Sequence, residues 1–150
     1  MQKDDGMATI VVGVDGSAAS RKALAWAAKE AELHGATLHV VHAWEVPSVA
    51  WGILSTEWSP RRLINQAKLE LGKTIGEVVG EPAPIEVRAT VEEGNPVKVL
   101  LDAVLDDDAD LLVVSSRGRG GFKTLLLGSV SEQCVTHAKC PVAVIRSRKK

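Results

Sequence analysis

The chain has 150 residues and a mass of 16.0 kDa, which is the size of one ordinary domain. Apolar residues make up 45% and charged residues 25%, a composition that excludes a disordered, collagen-like or coiled-coil chain. Eighteen basic against nineteen acidic side chains leave a net charge of -1, so a general attraction to nucleic acid is excluded and any anion site must be local.

The ends of the chain and its cysteines indicate a cytoplasmic protein. Residues 1–7 lack the apolar core of a secretion signal, and no apolar run approaches the roughly 20 residues that cross a bilayer. Cys134 and Cys140 lie in a chain large enough to fold without disulfides, which favours a reducing compartment. We expect a disordered lead-in over 1–7, one domain over 8–147 and a basic tail over 148–150.

Five apolar runs alternate with segments of helical period, the pattern of an α/β domain with a parallel sheet. The predicted strands are Thr9–Val14, Thr37–Ala43, Ile85–Val91, Leu111–Val114 and Val142–Ile145. Helices should cover the first, second and fourth on both faces because these runs are almost continuously apolar, whereas the third alternates with polar residues and should lie at an edge. We predict a doubly wound, five-stranded parallel sheet of order 3-2-1-4-5.

The predicted helices between these strands begin at residues suited to cap them. Ser17 or Ser20 precedes an Ala-rich helix that Gly35 should end. Ser59-Pro60 and Asn95-Pro96 each combine an N-cap with a proline at the first helical position. The sequence therefore predicts three well-delimited helices before the fourth strand.

The segment between Trp44 and Ser59 has no clear period, and we interpret it as a long connection after strand two. Long connections inside compact domains tend to be binding elements. Its Trp51 and Trp58 could pack on the rim of the core or lie over a ligand, and the sequence leaves both interpretations open.

In a sheet of this order, ligands bind beyond the carboxyl ends of strands one and four, where the chain reverses direction. A glycine-rich segment, residues 115–121, follows strand four, and Gly128 opens the last helix. Glycines let the backbone approach an anion, and a helix N-terminus presents unpaired amides. Ser129 and Ser131 would add hydroxyl donors, and Arg117 would add charge together with Arg119. The alternative is a flexible turn before a serine-capped helix.

These residues resemble the ATP-binding branch of the universal stress protein family, whose motif reads G-x2-G-x9-G-S/T. Gly118, the nine residues after it and Gly128-Ser129 match that motif, and Val-Gly-Val-Asp-Gly-Ser at residues 12–17 matches the family's usual opening. The resemblance extends from Thr9 to Arg146. Ser115 stands in place of the first glycine, where a serine with negative φ leaves its amide able to bind phosphate or ribose.

The resemblance implies an ATP site, with Mg²⁺ as a further ion that could accompany the nucleotide. Its residues would be Val14 and Asp15 near adenine and ribose, Ala43 against the base, Val114, Ser115, Arg117 and Gly118 along ribose and phosphates, and Gly128, Ser129, Val130 and Ser131 on the triphosphate. Asp15 also has a simpler interpretation, an Asx bond that caps the turn before Ser17. The two roles can coexist.

The function implied by the resemblance is that of a nucleotide-responsive regulatory or signalling module in the stress response. The sequence has neither the P-loop motif G-x-x-x-x-G-K-S/T nor a G-x-S-x-G motif, so we do not expect catalysis to be the main output. Two alternatives stay open. One is a family member that binds no nucleotide and works through protein contacts in a dimer, and the other is a slow ATP hydrolase.

Cys134, His137 and Cys140 are spaced closely enough to suggest a metal site. Cys140 directly precedes a proline at the entrance of the last strand, and no fourth ligand is visible nearby. We therefore interpret Cys134 as a small buried hydrophobic residue and His137 as a cation at the end of a helix, and we predict no metal site.

Two further groups of polar residues have structural interpretations. His39 and His42 point to opposite faces of strand two, and we expect both to be packed or hydrogen-bonded in the core. Three consecutive carboxylates, Asp106, Asp107 and Asp108, cannot all face one ion, so we expect a solvated helix end there.

The last strand would be an edge of the sheet and is uniformly apolar, and exposed apolar edges favour association. We expect a symmetric homodimer that pairs Val142, Ala143, Val144 and Ile145 across a two-fold axis, and the family resemblance points the same way. Aromatic residues make up only 3% of the chain, so stacking platforms for nucleic acid are not expected. No membrane partner is expected either.

Overall fold

The computed structural model describes residues 7–45, 59–117 and 127–146. Most of the predicted lead-in, all of the basic tail, and the tryptophans of the long connection, Trp51 and Trp58, lie outside these ranges, as does the motif residue Gly118. Met7, the last residue of the predicted lead-in, is described and packs against the core.

Strands and helices alternate along the described residues. The strands are β1 (Thr9–Gly13), β2 (Thr37–Trp44), β3 (Val87–Glu93), β4 (Leu111–Ser115) and β5 (Val142–Ile145). The helices are α1 (Ala18–His34), α2 (Pro60–Val78), α3 (Pro96–Asp107) and α4 (Ser129–His137). Within these ranges no helix has both the length and the apolar character needed to span a membrane.

All four strand pairs are parallel and the sheet has the order β3-β2-β1-β4-β5, which confirms the predicted fold. The third strand begins and ends two residues later than the alternation predicted. Ile85 packs against the core before the strand pairing begins, so its apolar character marks packing rather than the strand. At the other end Glu92 and Glu93 pair with Ala43 and Trp44, which continue β2 to the same level.

Two apolar layers enclose the sheet because successive residues of the buried strands point to opposite faces. Val12 of β1 packs with Ala27 of α1 and Leu71 of α2 on one face. On the other face, Val11 packs with Leu100 of α3 and Cys134 of α4. Both faces of the central strands are therefore covered, as their continuous apolar sequences predicted.

Capping side chains mark the first residues of three helices. Ser17 rather than Ser20 is the N-cap of α1, because its hydroxyl accepts the Ser20 amide, and Gly35 ends the helix in the left-handed conformation that favours glycine. Ser59 caps α2 and Asn95 caps α3, each followed by proline at the first helical position. The fourth helix differs, since no side chain caps its N-terminus.

Candidate functional site

The carboxyl ends of β1 and β4 lie side by side, at the point where the sheet order reverses. Val12 pairs with Val113, and Val14 and Ser115 each follow two residues later in the chain. The Val14 amide donates to the Val41 carbonyl at 2.9 Å, and the Val14 carbonyl accepts from His42 Nδ1 at 2.7 Å. The end of β1 is therefore held to β2, and His42 is hydrogen-bonded as predicted, although it is half-buried and not part of the core.

Asp15 organises the turn between β1 and α1. Its Oδ1 accepts the Ser17 amide at 2.9 Å and the Ser17 hydroxyl at 2.5 Å, which is the predicted Asx bond. The Asp15 amide donates to the Ser20 hydroxyl at 3.3 Å, and Gly16 between the two capping residues has φ +85°. A glycine is required there because side chains disfavour positive φ.

Beyond β4, the chain is tied to the start of α4. The Ser115 hydroxyl donates to the Arg117 carbonyl at 3.0 Å, and the Ser116 amide donates to the Ile145 carbonyl at 2.9 Å. The Ser116 carbonyl accepts the Gly128 amide at 2.6 Å and the Ser131 hydroxyl at 3.3 Å. The buried Ser116 lies in the segment expected to matter after strand four but is not among the predicted binding residues, and its contacts bring the start of α4 to the end of β4.

The first turn of α4 divides its polar groups between the interior and the outside. Ser131 is almost fully buried and its hydroxyl donates to the Gly128 carbonyl at 2.9 Å, so this hydroxyl points inward rather than toward an anion. The expectation that Ser131 offers a hydroxyl donor is not met. The amides of Ser129 and Val130 have no partner within the described ranges, and no side chain caps the helix.

Ten of the eleven predicted site residues are described, and all lie at the carboxyl edge of the sheet or directly after it. Val14 belongs to the apolar layer formed with α1 and α2. Val114 belongs to the layer of α3 and α4, and Ala43 is half-buried one position short of the last residue of β2. Val14 and Val114 therefore come from opposite apolar layers near this edge, and a common binding role for the set stays a prediction.

A second polar cluster, between β2, β3 and α3, was missed by the sequence reasoning. His39 Nδ1 lies 2.5 Å from Asp107 Oδ2, and His39 Nε2 lies 2.9 Å from the Thr90 hydroxyl. Arg88 contacts the other carboxylate oxygen, Asp107 Oδ1, at 3.0 Å. The prediction of a solvated helix end is therefore wrong for Asp107, whose side chain is only 10% exposed. The apolar stripe of α3 could have predicted that Asp107 is buried, since Asp107 lies three residues after the buried Val104.

The ionisation of Asp107 reflects two opposing effects. Burial disfavours the carboxylate, but hydrogen bonds from His39 and Arg88 outweigh it and hold the pKa of Asp107 below its ordinary value. Asp107 is therefore a carboxylate at neutral pH, and it can hold the proton of its histidine partner on Nδ1.

A cavity of about 410 Å³, which we name the α3–β3 groove, lies over this cluster. Its floor includes His39, Thr90 and Val41. Charged residues of its lining are Glu92, Glu93, Lys98, Asp102, Asp106 and Asp107. With five carboxylates against one lysine, the groove is negatively charged and does not suit a polyanion.

The predicted buried cysteine is confirmed. Cys134 is fully buried between α3 and α4, and burial raises the pKa of its thiol to about 11. Neither Cys134 nor Cys140 forms a disulfide. Within residues 7–45, 59–117 and 127–146, no three His, Cys, Asp or Glu side chains are grouped closely enough to hold a metal ion.

Comparison with known proteins matches residues 7–146 to the model of the universal stress protein family. A universal stress protein of Thermus aquaticus is 36% identical over 139 residues, which are 92% of this chain and 98% of the relative. A universal stress protein of Mycolicibacterium smegmatis is 33% identical over 144 residues, and there the chain spans only 47% of the relative's length. Several mycobacterial relatives are likewise about twice as long as the matched region.

Solved structures share the fold. Universal stress protein UspA from Lactobacillus plantarum matches with a TM-score of 0.80 and 23% identity over 95% of this chain and all of that chain. A universal stress protein solved in complex with cAMP matches with a TM-score of 0.62 and 28% identity, over 94% of this chain and 98% of that one.

Proposed function

The chain belongs to the universal stress protein family, and from that membership we propose that it binds ATP at the carboxyl ends of β1 and β4 and acts as a nucleotide-responsive regulatory module in the stress response. The relative solved with cAMP supports an adenine nucleotide as the ligand. The start of α4 carries the proposal within this chain, because its first amides are left without a side-chain cap at the edge where Asp15 and Ser115 lie.

The contrast between α4 and two other helices supports an anion at this place. The second and third helices begin with Pro60 and Pro96, which have no amide to donate at the first helical position, and side chains cap both. In α4 the first position is Ser129, which keeps its amide, and the cap residue is Gly128, which has no side chain. Amides and dipole at such a helix start favour a phosphate group.

The residues present fit a nucleotide better than a separate metal site. Asp15 would lie by the ribose while keeping its bonds to Ser17, and the amides of α4 would meet the phosphates. The described residues offer no cluster of metal ligands, so a Mg²⁺ ion would be carried mainly by the triphosphate itself.

A thermal-unfolding experiment tests the proposal. A ligand present at about 100 times its dissociation constant stabilises the folded protein by about 2.7 kcal/mol, so ATP with Mg²⁺ should raise the melting temperature. Ser129→Pro removes one amide while proline remains favourable at the first helical position, and it should reduce the shift strongly. Ser129→Ala keeps the amide and serves as the matched control, with a smaller loss.

The absence of any shift with millimolar ATP in the unmodified protein would contradict the proposal. So would equal shifts in Ser129→Pro and Ser129→Ala, because the amide would then play no part. Identification of the nucleotide that copurifies, by anion exchange after denaturation, provides an independent measurement of the physiological ligand.

A second proposal concerns association through β5. This strand lies at the edge of the sheet, and all four of its residues are half-buried rather than buried, unlike those of the central strands. Because Val142 and Val144 also pack against α3 and α4, Val144→Lys needs a check of folding by circular dichroism. Sedimentation should give a dimer for the unmodified chain and a monomer for a folded Val144→Lys variant. A clean 16 kDa species for the unmodified chain at micromolar concentration would contradict the proposal.

The place of action that we propose is the cytoplasm. Two cysteines that form no disulfide support this proposal, because disulfides are typical of oxidising compartments. Fractionation of cells that produce the tagged chain would test it, and recovery outside the cytoplasmic fraction would contradict it.

A further inference from the structure

Three side chains on the floor of the α3–β3 groove form a continuous series of hydrogen bonds. Thr90 Oγ1 lies 2.9 Å from His39 Nε2, and His39 Nδ1 lies 2.5 Å from Asp107 Oδ2. Arg88 holds the second oxygen of Asp107 at 3.0 Å. The residues come from β3, β2 and α3, so only the folded chain brings them together.

This arrangement has the order of groups that activates a hydroxyl. In the tautomer that carries its proton on Nδ1, where Asp107 accepts it, the His39 imidazole presents Nε2 as an acceptor for the Thr90 hydroxyl proton. A hydroxyl, a base within hydrogen-bond distance and a group that orients the base are the features by which a nucleophilic site is recognised.

Thr90 also faces the groove, since it belongs to the lining of the cavity. Thr90 is half-buried, and all three residues line the 410 Å³ cavity. We propose that the α3–β3 groove is an acyl-transfer site in which Thr90 is the nucleophile and His39 is its general base, oriented by Asp107.

The charge of the groove defines the class of substrate. Asp107 is paired with Arg88, and Asp102 is paired with Lys98 at 2.8 Å. Glu92, Glu93 and Asp106 also line the groove and have no ion-pair partner within the described ranges. This charge disfavours an oxyanion unless the substrate itself carries a positive group nearby. The substrate is therefore a carboxylic ester with a cationic substituent.

The reaction proceeds in two balanced steps. Thr90 Oγ1 attacks the ester carbonyl while its proton passes to His39 Nε2, and the bond from the carbonyl carbon to the leaving oxygen breaks as that oxygen receives the proton. This step releases an alcohol and leaves an acyl group on Thr90. Water then attacks the acyl group with the same base, which releases a carboxylic acid and restores the Thr90 hydroxyl.

The groove is separate from the proposed nucleotide site. The nucleotide site uses the ends of β1 and β4 and the start of α4, whereas the groove is lined by β2, β3, α3 and the turn between β3 and α3. A negatively charged groove is unsuited to ATP. Failure of acylation would therefore leave the proposed function untouched, and ATP-induced thermal shifts on the same preparations would show this.

A cationic active-site titrant tests the proposal on the full chain. With p-nitrophenyl p-guanidinobenzoate, we expect rapid release of nitrophenolate and a guanidinobenzoyl group on the peptide that contains Thr90, identified by mass spectrometry. The anionic ester p-nitrophenyl hemisuccinate has the same leaving group and should react at least about tenfold more slowly, because the carboxylates of the groove repel its negative charge.

Substitutions of Thr90 and His39 distinguish the role of the nucleophile from that of the base. Thr90→Ala should abolish acylation, Thr90→Ser should retain it, and His39→Gln should lower its rate by about 100-fold or more. The matched controls are Thr136→Ala and His34→Gln, which change a hydroxyl on α4 and an imidazole on α1, both outside the groove. Both controls should react as the unmodified chain does.

Three results would overturn the proposal. They are the absence of acylation in the unmodified chain, a label on a lysine instead of Thr90, and an unchanged rate in Thr90→Ala. Since Thr90 is half-buried on an edge strand, its alanine variant should fold, which circular dichroism can check, and it decides the outcome even where His39→Gln does not fold.

Discussion

His39 of β2 and Asp107 of α3 are 68 residues apart in the chain, and their side chains meet at 2.5 Å beneath the edge of the sheet. The contact fixes α3 against β2, and Arg88 extends it to β3. A buried carboxylate of this kind contributes stability only when it is ionised, so its effect depends on pH.

The first prediction concerns acid stability. Because the pKa of Asp107 is lowered in the folded chain, its contribution is present above the unfolded-state pKa and is lost as the pH falls through the folded-state value. Asp107→Asn should lower the free energy of unfolding by about 1–3 kcal/mol at neutral pH. The two stability curves should converge between about pH 5 and pH 2.

Urea unfolding as a function of pH measures this effect. Asp106→Asn is the matched control, since Asp106 is exposed and one residue away, and its effect should stay within about 0.5 kcal/mol. Parallel curves for Asp107→Asn and the unmodified chain over the whole range would show that ionisation of Asp107 does not contribute.

The second prediction uses two glycines in contrasting surroundings. A Cβ at Gly13, the last residue of β1, would lie 3.0 Å from Leu100 Cδ1, whereas a Cβ at Gly72 in α2 would have nothing within 4 Å. Gly13→Ala should destabilise the fold by about 1–3 kcal/mol through overpacking. Gly72→Ala should stabilise it by about 0.5–1 kcal/mol because alanine favours helix.

Thermal and urea unfolding of the two variants measure these opposite signs. A Gly13→Ala variant as stable as the unmodified chain would mean that Leu100 moves aside without loss. That result would also question the close packing of α3 on β1.

The central sheet could be predicted from the sequence because burial on both faces leaves a direct signature. The runs in β1, β2 and β4 are almost continuously apolar, and three helices carry a capping residue at their start. These local signals place the strands and helices along the chain, and the strand order followed from the rules for right-handed crossovers in parallel sheets. The bounds of β3 could not be predicted as closely, since the same alternation includes Ile85, which packs without pairing.

The hydrogen bonds of Ser116 and Asp107 join residues that are distant in the chain, and this is why the sequence did not predict them. Ser116 is one of several serines near the glycine-rich segment, and nothing local marks it as the acceptor of the Gly128 amide. The prediction of a solvated Asp107 rested on its two acidic neighbours and not on its position next to the buried stripe of α3. The available signal was a carboxylate at a buried position of α3. Its explanation, the contact with His39 of β2, is visible only in the folded chain.

The last prediction concerns the two cysteines, whose reactivity should differ strongly. Burial raises the pKa of Cys134 to about 11, which lowers its thiolate fraction at mildly alkaline pH by about 100-fold. The side chain is also fully buried, so a reagent reaches it only when the chain opens. With Ellman's reagent, the Cys140→Ser variant should react slowly when native and completely after unfolding in guanidinium. The Cys134→Ser variant, which keeps the half-buried Cys140, is the control and should react faster when native. Equal native rates in the two variants would mean that α4 separates readily from α3, and that the buried layer between them is less stable than its packing indicates.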